Sequence, residues 1–356
     1  MLFADYSNHF RTTLHNKSTA LFRLKNSHGM AVDITNYGGR IVRWMAPDRN
    51  GRFQNIVLGF NSIDTYLKAH EPYFGSIIGR FSNRIENGQF SLNGKKYSLT
   101  INNGVNHLHG GANGFHHVVW EATQHDPQNL TLGYKSTDGE EGYPGDLTVE
   151  VHYELTDKNE LKIKFNATTS KPTIVNLTSH SFFNLAGVAG GSITDHQLMI
   201  NADTYTPIKH NLIPSGEIAP VQHTPFDFTS PTSIGKRINQ DNLQLNIADG
   251  YDHNFILAKE KPNALSLAAQ VTETASGRTM TIHTTKPGLQ FYSGNFLNGK
   301  DKKIPGIPFN RRTAFCLEPQ FFPNSPNQSN FPSTTLRPGD VYKSTTVYTL
   351  GVFPLV

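Results

Sequence analysis

The sequence lacks the residues and segments on which several protein classes depend. It has one cysteine, Cys316, among 356 residues, which excludes a disulfide within the chain and a thiolate metal cluster. No apolar run approaches the ~20 residues of a membrane-spanning helix, and the amino terminus lacks the basic-then-apolar order of a signal peptide. We therefore expect a soluble protein of the cytoplasm, or of the periplasm or exterior if a leader preceded Met1.

Concentrated positive charge is also missing. The formal net charge is +4, and the 32 lysines and arginines are scattered rather than gathered with aromatic residues into a stripe. Such a distribution favours solubility and does not predict a nucleic-acid surface. We expect neither a nucleic-acid nor a membrane partner, and the sequence carries no signal for an oligomeric state.

Helical periodicity is scarce, whereas strand signals are abundant. Only residues 62–70 and 234–238 predict short helical turns. Apolar and polar residues alternate through residues 147–155 and again through 161–167, which predicts a hairpin with one buried face. The Asn-Gly pair at 93–94 supplies the turn of a second hairpin. With 23 Phe, 13 Tyr, 30 Gly and 20 Pro, the chain predicts one all-β domain over residues 1–356, a large antiparallel β-sandwich.

One histidine and one distant carboxylate stand in unusual surroundings. His180 lies between small hydroxyl residues and two phenylalanines, and Glu318 lies on the apolar run 315–320. A lone histidine of this kind is more often a buried structural residue. An imidazole that titrates near neutral pH and a buried carboxylate are nevertheless the pair that general acid–base catalysis requires. We therefore predict that His180 and Glu318 converge on one catalytic site.

A second histidine-bearing segment, residues 106–111, allows two interpretations. If the segment is extended, His107 and His109 point to one face, which suits either a ligand-facing histidine or two ligands of a divalent metal. No nearby residue supplies a convincing third or fourth metal ligand, so we favour a ligand-facing His109 and expect no metal. The following Gly110 and Gly111 either let the backbone approach a ligand closely or form a simple turn.

Four further polar residues lie beside apolar or aromatic residues and are candidates for ligand binding. Asn83 and Arg84 follow a hydrophobic run, whereas Asp252 and Gln290 are flanked by aromatic residues. Each is weak evidence alone, because turns and exposed strands contain the same residue types. Arg80, in the same stretch as Asn83, is expected to be a solvated surface charge.

Taken in order, these motifs resemble those of the aldose 1-epimerase (galactose mutarotase) family. The matching segments are 36–40, 79–85, 106–111, 178–187, 250–255, 287–297, 315–320 and 331–339, and so many ordered matches are far more specific than a single motif. The resemblance implies a β-supersandwich fold, no cofactor, and interconversion of the α and β anomers of free aldohexoses such as galactose and glucose.

The resemblance also implies a role for each candidate residue. His180 matches the general acid at the ring oxygen, Glu318 the general base at the anomeric hydroxyl, and His109 a neighbour of both oxygens. The remaining sugar-binding positions fall on Asn83, Arg84, Asp252 and Gln290. For this chemistry we expect an ionised Glu318 that keeps His180 protonated, and a bell-shaped dependence of rate on pH. Which aldose is preferred does not follow from the sequence.

Three alternative functions remain open at this point. A sugar-6-phosphate epimerase would need a basic cluster in its pocket, which Arg84 alone does not form. A glycoside hydrolase would use two carboxylates that flank the scissile bond, for which only Glu318 and Asp252 are available. A carbohydrate-binding module would bind a sugar without converting it, and a paired acid and base would serve no purpose there.

Overall fold

Three antiparallel sheets contain most of the strand residues of the computed structural model, which describes residues 5–303 and 306–353. The strands are, in chain order, β1 Thr13–Leu14, β2 Lys17–Ser18, β3 Leu21–Lys25, β4 Ala31–Thr35, β5 Arg40–Pro47, β6 Phe53–Asn55, β7 Ile77–Ile78, β8 Arg84–Ile85, β9 Gln89–Leu92, β10 Lys95–Ser98, β11 His107–Leu108, β12 Glu121–Asp126, β13 Asn129–Ser136, β14 Leu147–Leu155, β15 Glu160–Thr169, β16 Thr173–Ile174, β17 Thr178–Ser179, β18 Gln197–Ile200, β19 Thr204–Thr206, β20 Ala219–Pro220, β21 Thr232–Ser233, β22 Asp252–Ile256, β23 Ser266–Thr272, β24 Arg278–Thr284, β25 Gly288–Tyr292, β26 Lys302–Lys303, β27 Ile307–Pro308, β28 Cys316–Gln320, β29 Thr335–Leu336 and β30 Tyr342–Val352.

Helices are short and lie between the strands. The α-helices are α1 Ile63–Leu67 and α2 Leu243–Ala248, and the 3₁₀ turns are Ser7–Phe10, Glu86–Gly88, Glu140–Gly142, Ile234–Lys236 and Ser325–Asn327. None of the helices in the described part of the chain is long and apolar enough to cross a membrane.

The largest sheet has nine strands in the order β12-β13-β14-β15-β30-β24-β23-β18-β21. A five-stranded sheet follows the order β20-β19-β22-β25-β28, and a four-stranded sheet follows β3-β4-β5-β6. Adjacent strands run antiparallel, for example β14 with β15 and β25 with β28. This arrangement confirms the predicted all-β class and its large antiparallel sandwich.

The predicted local elements agree with the observed ones. Strand β14 buries every second residue and pairs with β15 along its full length, as the alternating pattern predicted. Asn93 and Gly94 have φ angles of 52° and 76° at the β9–β10 turn, and Ser62 caps helix α1 by accepting the N–H of Thr65. Helix α2 was not predicted, because six residues are too few to display a helical period.

Aromatic residues from different elements pack against one another between the sheets. Trp44 of β5 and Tyr348 of β30 meet edge to face with ring centroids 6.2 Å apart, and Phe183 contacts both rings. All three are buried, and burying a side chain of this size contributes about 1.5–3 kcal/mol or more. Because Phe183 is three residues from His180, this packing also anchors the segment that carries the candidate acid.

Arg80 is buried, so the prediction of a solvated surface charge was wrong. Its Nε donates to Ser136 Oγ at 2.7 Å, and its terminal nitrogens donate to the carbonyl oxygens of Gly145 and Thr137, both at 2.7 Å. A guanidinium tolerates burial when acceptors surround its N–H groups. These acceptors come from a loop about 60 residues further along the chain, and no local sequence pattern reveals them.

Candidate active site

A cavity of about 430 Å³ brings together six of the seven predicted site residues. Its lining includes Asn83, Arg84, His109, His180, Asp252 and Glu318, together with the unpredicted Glu71, Tyr73, Asn103, Leu108, Leu212, Tyr292 and Phe296. The volume lies within the range of small-molecule sites, and a mixture of aromatic walls and a few converging polar groups is typical of them.

Strand register places the carboxylates of the cavity. Gln290 of β25 lies directly opposite Glu318 of β28, and Asp252 begins the neighbouring strand β22. Side chains alternate between the two faces of a sheet. These three polar residues therefore share one face, while Phe291 and Leu317 point to the other and join the hydrophobic core. The alternation explains how an apolar run such as 315–320 can carry a functional carboxylate.

His180 is fixed by its backbone and by the rings on either side of it. It follows strand β17, its N–H donates to Ser76 O at 2.9 Å, and its carbonyl accepts the N–H of Gly75 at 3.0 Å. The imidazole is stacked between Phe182, with centroids 4.9 Å apart, and Tyr73, at 5.8 Å. Such packing fixes the plane of the imidazole ring.

The two nitrogens of His180 face different partners. Nε2 lies 3.6 Å from Glu318 Oε1, and Nδ1 lies 3.6 Å from the Sγ of Cys316. Both members of the His180–Glu318 pair are almost completely buried, with side-chain exposures of 6% and 2%. Two residues 138 positions apart in the sequence are thus neighbours across one cavity.

Burial acts on the two groups in opposite directions. Desolvation lowers the pKa of His180 to about 3. Desolvation also raises the pKa of Glu318 well above its ordinary value, and the negative charges of Asp252 and Glu71 raise it further. Burial therefore favours a neutral imidazole and a protonated carboxyl, contrary to the expectation that Glu318 keeps His180 charged. The neutral pair (imidazole and carboxylic acid) and the ion pair (imidazolium and carboxylate) nevertheless hold the same number of protons.

His107 and His109 do not share a face, contrary to the expectation for an extended segment. His107 is held away from the cavity between Thr100 O and the hydroxyl of Tyr143, at 2.6 Å from each. His109 adopts a φ of 52°, which ends the strand and turns its side chain into the cavity. Its ring meets that of His180 edge to face, with centroids 5.0 Å apart.

The glycines after His109 serve the turn rather than an approach to a ligand. Gly110 has a φ of 89°, and a Cβ built on it would lie 1.7 Å from the carbonyl oxygen of Gly79. Only glycine allows this contact between the two chain segments. The close approach is therefore to the protein's own backbone, and it holds His109 beside the segment that contains Asn83.

His109, His180 and Glu318 offer ligand atoms that all lie within 4.8 Å of one another. Two imidazoles and a carboxylate are a common set of zinc ligands. However, His109 Nδ1 accepts the backbone N–H of Asn83 at 3.1 Å, so its neutral ring carries the proton on Nε2. Neither nitrogen then has a free lone pair, and a metal would have to break the bond to Asn83. The set fits a hydrogen-bond donor better than a metal site.

Arg84, Asp252 and Gln290 form a connected polar group at the side of the cavity. Arg84 Nη1 lies 3.7 Å from Asp252 Oδ2, and Gln290 Nε2 donates to Asp252 Oδ1 at 2.7 Å. Arg84 Nε also donates to Asn103 Oδ1 at 3.1 Å. Gln290 is not among the residues that line the cavity. Its side chain accepts a hydrogen bond from Gln320 at 3.3 Å and reaches the cavity only through its bond to Asp252. Asn83 uses its Oδ1 to accept the N–H of Arg84 at 2.8 Å.

Several cavity residues were missed by the sequence analysis. Tyr73 lies close to the matched segment 79–85, and Tyr292 lies within the matched segment 287–297. Their positions relative to these motifs could have pointed to both residues. Phe296 lies inside the matched segment 287–297, so that motif could have pointed to it as well. Glu71 carries no such signal, because an acid in a loop is usually an ordinary surface residue.

Comparisons with known proteins extend over nearly the whole chain. The sequence model of the aldose 1-epimerase family matches residues 20–349. The galactose mutarotase of Sus scrofa is 44% identical over 335 residues, which cover 93% of this chain and 94% of the relative. The aldose 1-epimerase of Escherichia coli (strain K12) is 36% identical over 330 residues, or 92% and 94% of the two chains.

A solved structure agrees with the sequence matches. The crystal structure of a GalM/aldose epimerase homologue from C. elegans has a TM-score of 0.87 and 32% identity, and it covers 94% of this chain and 99% of that chain. Fold and sequence thus agree over nearly the whole chain, and the protein belongs to the aldose 1-epimerase family of isomerases.

Proposed function

We propose that this enzyme interconverts the α and β anomers of free aldohexoses by general acid–base catalysis. The observation that carries the proposal is the His180–Glu318 pair, whose facing atoms lie 3.6 Å apart at the wall of a cavity of about 430 Å³. Family membership supports the same reaction, because the relatives are named galactose mutarotase and aldose 1-epimerase. The reaction forms an isomer, so it needs no electron acceptor and no group carrier.

The protons of the resting pair are arranged by its neighbours. Burial raises the pKa of the Cys316 thiol well above its ordinary value, so Sγ is protonated. In the tautomer we propose, Sγ accepts a weak hydrogen bond from His180 Nδ1–H. The lone pair of Nε2 then faces the protonated Glu318. When a sugar enters, its hydroxyl groups stabilise the charged forms of both side chains. The proton then passes from Glu318 to His180 Nε2.

Ring opening then uses both groups at once. The Glu318 carboxylate takes the proton of the anomeric hydroxyl, and the released electron pair forms the C1–O1 double bond. The C1–O5 bond breaks, and its electrons take the proton from His180 Nε2. Rotation about C1–C2 presents the other face of the aldehyde, and the reverse transfers close the ring as the opposite anomer. The open-chain stage has a protonated Glu318 and a neutral His180, the proton arrangement that burial favours.

The other polar groups would bind and orient the sugar. His109, with its proton on Nε2, would donate a hydrogen bond to the oxygens at C1 and C5. Asn83, Arg84 and Asp252 would hold the remaining hydroxyls, and Gln290 would orient Asp252 through their mutual hydrogen bond. A single guanidinium faces three carboxyl groups in the described cavity lining, which disfavours a phosphorylated sugar.

Polarimetry of freshly dissolved α-glucose and α-galactose tests the proposal directly. We expect the enzyme to bring the optical rotation to equilibrium much faster than buffer alone, and a chelator to leave the rate unchanged, since acid and base transfers suffice. The ratio of the two rates reveals the preferred aldose. No acceleration with either sugar would contradict the proposed function, and a rate abolished by chelator and restored by a divalent metal would contradict the metal-free mechanism.

A further inference from the structure

The charges of the cavity are unbalanced. Glu71, Asp252 and Glu318 contribute three carboxyl groups, whereas Arg84 contributes the one guanidinium among the described lining residues. The guanidinium lies beside Asp252, and Glu318 shares a proton with His180. Glu71 is therefore left as a carboxyl group without a cation of its own in the cavity.

Glu71 is held in place by backbone contacts. Its Oε1 accepts the N–H of Tyr73 at 3.1 Å, and its own N–H donates to Asp301 Oδ2 at 2.9 Å. In the described residues, no lysine or arginine comes within ion-pair distance of its carboxylate. The nearby Arg40 donates instead to the carbonyl oxygens of Pro72 and Phe74.

Desolvation is the main cause that raises the pKa of Glu71, to about 7. The charge of Asp301 adds to this effect, while the Tyr73 N–H and Arg40 oppose it. Near neutral pH both protonation states of this carboxyl group are thus accessible, and a cation in the cavity would favour the ionised one.

Glu318 contributes unused hydrogen-bond acceptor capacity to the cavity that Glu71 also lines. Glu318 Oε2 is buried and has no hydrogen-bond partner in the part of the chain that the structure describes. Glu71 is close enough to Glu318 to raise its pKa. This end of the cavity therefore combines an acid held by the Tyr73 N–H with an oxygen of Glu318 that has no hydrogen-bond partner among the described residues, and both can accept from a positively charged donor.

We propose that Glu71 determines the charge specificity of the site, so that it favours cationic aminoaldoses and rejects anionic aldoses such as uronic acids. This inference rests on the proposed function. An ammonium group offers three donors to carboxylate acceptors, and such charge-assisted bonds are stronger than neutral ones. A sugar carboxylate would instead meet like charge in a poorly solvated cavity, where the repulsion is only weakly screened.

The test compares Glu71→Gln with the unmodified enzyme on D-glucosamine, D-glucose and D-glucuronate at pH 7. Each rate of anomerisation is expressed as a ratio of kcat/KM to that for glucose, so that a general loss of activity cancels. We expect the glucosamine ratio to fall about tenfold, or about 1.4 kcal/mol, and the glucuronate ratio to rise by a similar factor. Glu150→Gln, which changes an exposed carboxylate of β14, should leave both ratios unchanged.

The possible results separate the inference from the function on which it depends. If Glu71→Gln converts glucose with both ratios unchanged, the charge-specificity role is overturned and the proposed function stands. If the unmodified enzyme converts none of the three sugars, the proposed function itself fails. If Glu71→Gln does not fold, inhibition of glucose conversion in the unmodified enzyme decides. Stronger inhibition by glucosamine than by glucuronate supports the proposal, and the opposite order overturns it.

Discussion

Glu318→Gln is expected to lower kcat/KM for α-glucose by about 10²–10⁴-fold. The amide has nearly the shape of the carboxylate, so the β25–β28 pairing and the cavity should persist. It cannot accept the proton of the anomeric hydroxyl, and the base-catalysed half of ring opening is lost. Polarimetry measures the rate, and circular dichroism of the variant should match that of the unmodified enzyme.

Asp252→Asn provides the matched comparison. Asp252 accepts a hydrogen bond from Gln290 and faces Arg84, so the proposal assigns it to binding rather than to proton transfer. The variant should therefore raise KM more than it lowers kcat and should remain measurably active. If it were as inactive as Glu318→Gln, the division of roles between the two carboxylates would be wrong.

His180→Gln should cause a loss of similar size, about 10²–10⁴-fold in kcat/KM. Glutamine retains a polar group at this position but does not titrate, so the ring oxygen receives no proton as the C1–O5 bond breaks. The exposed His125 on the nine-stranded sheet gives a control, since His125→Gln leaves the cavity untouched. A His180→Gln variant that is folded and within tenfold of the unmodified enzyme would remove His180 from the mechanism.

The two losses should not multiply. Groups that act in one concerted transfer give strongly non-additive effects when they are removed together. Neither proton transfer is useful once the other is missing, because the open-chain aldehyde requires both. This dependence follows from the paired transfers, since Glu318 takes one proton from the sugar as His180 gives another to it.

Much of the fold was predictable because its signals are local. The alternation in β14 and β15, the Asn93-Gly94 turn and the Ser62 cap each arise within about ten residues. Six of the seven predicted site residues line one cavity. They were predictable for a different reason: the ordered motifs identified the family, and the family resemblance assigned a role to each residue. No periodicity in the sequence would have paired residue 180 with residue 318.

The features that escaped prediction depend on distant partners. Arg80 looked like a surface charge because its carbonyl acceptors lie in a remote loop. His180 was expected to be charged because the sequence shows its ionisable neighbours but not its desolvation. Glu71 lies in none of the matched segments, and only the folded loop directs it into the cavity.

The dependence of kcat/KM on pH tests most directly whether a single proton is shared by two buried groups. The active enzyme holds one proton on the pair. Activity is lost at low pH, when His180 is protonated as well and the pair holds two protons. It is lost at high pH, when Glu318 gives up the only proton of the pair. Because burial lowers the pKa of His180 to about 3 and raises that of Glu318, the profile should be bell-shaped, with no decline as the pH falls from 6.5 to 5. A profile governed by one ionisation near pH 6.5 would contradict the shared proton.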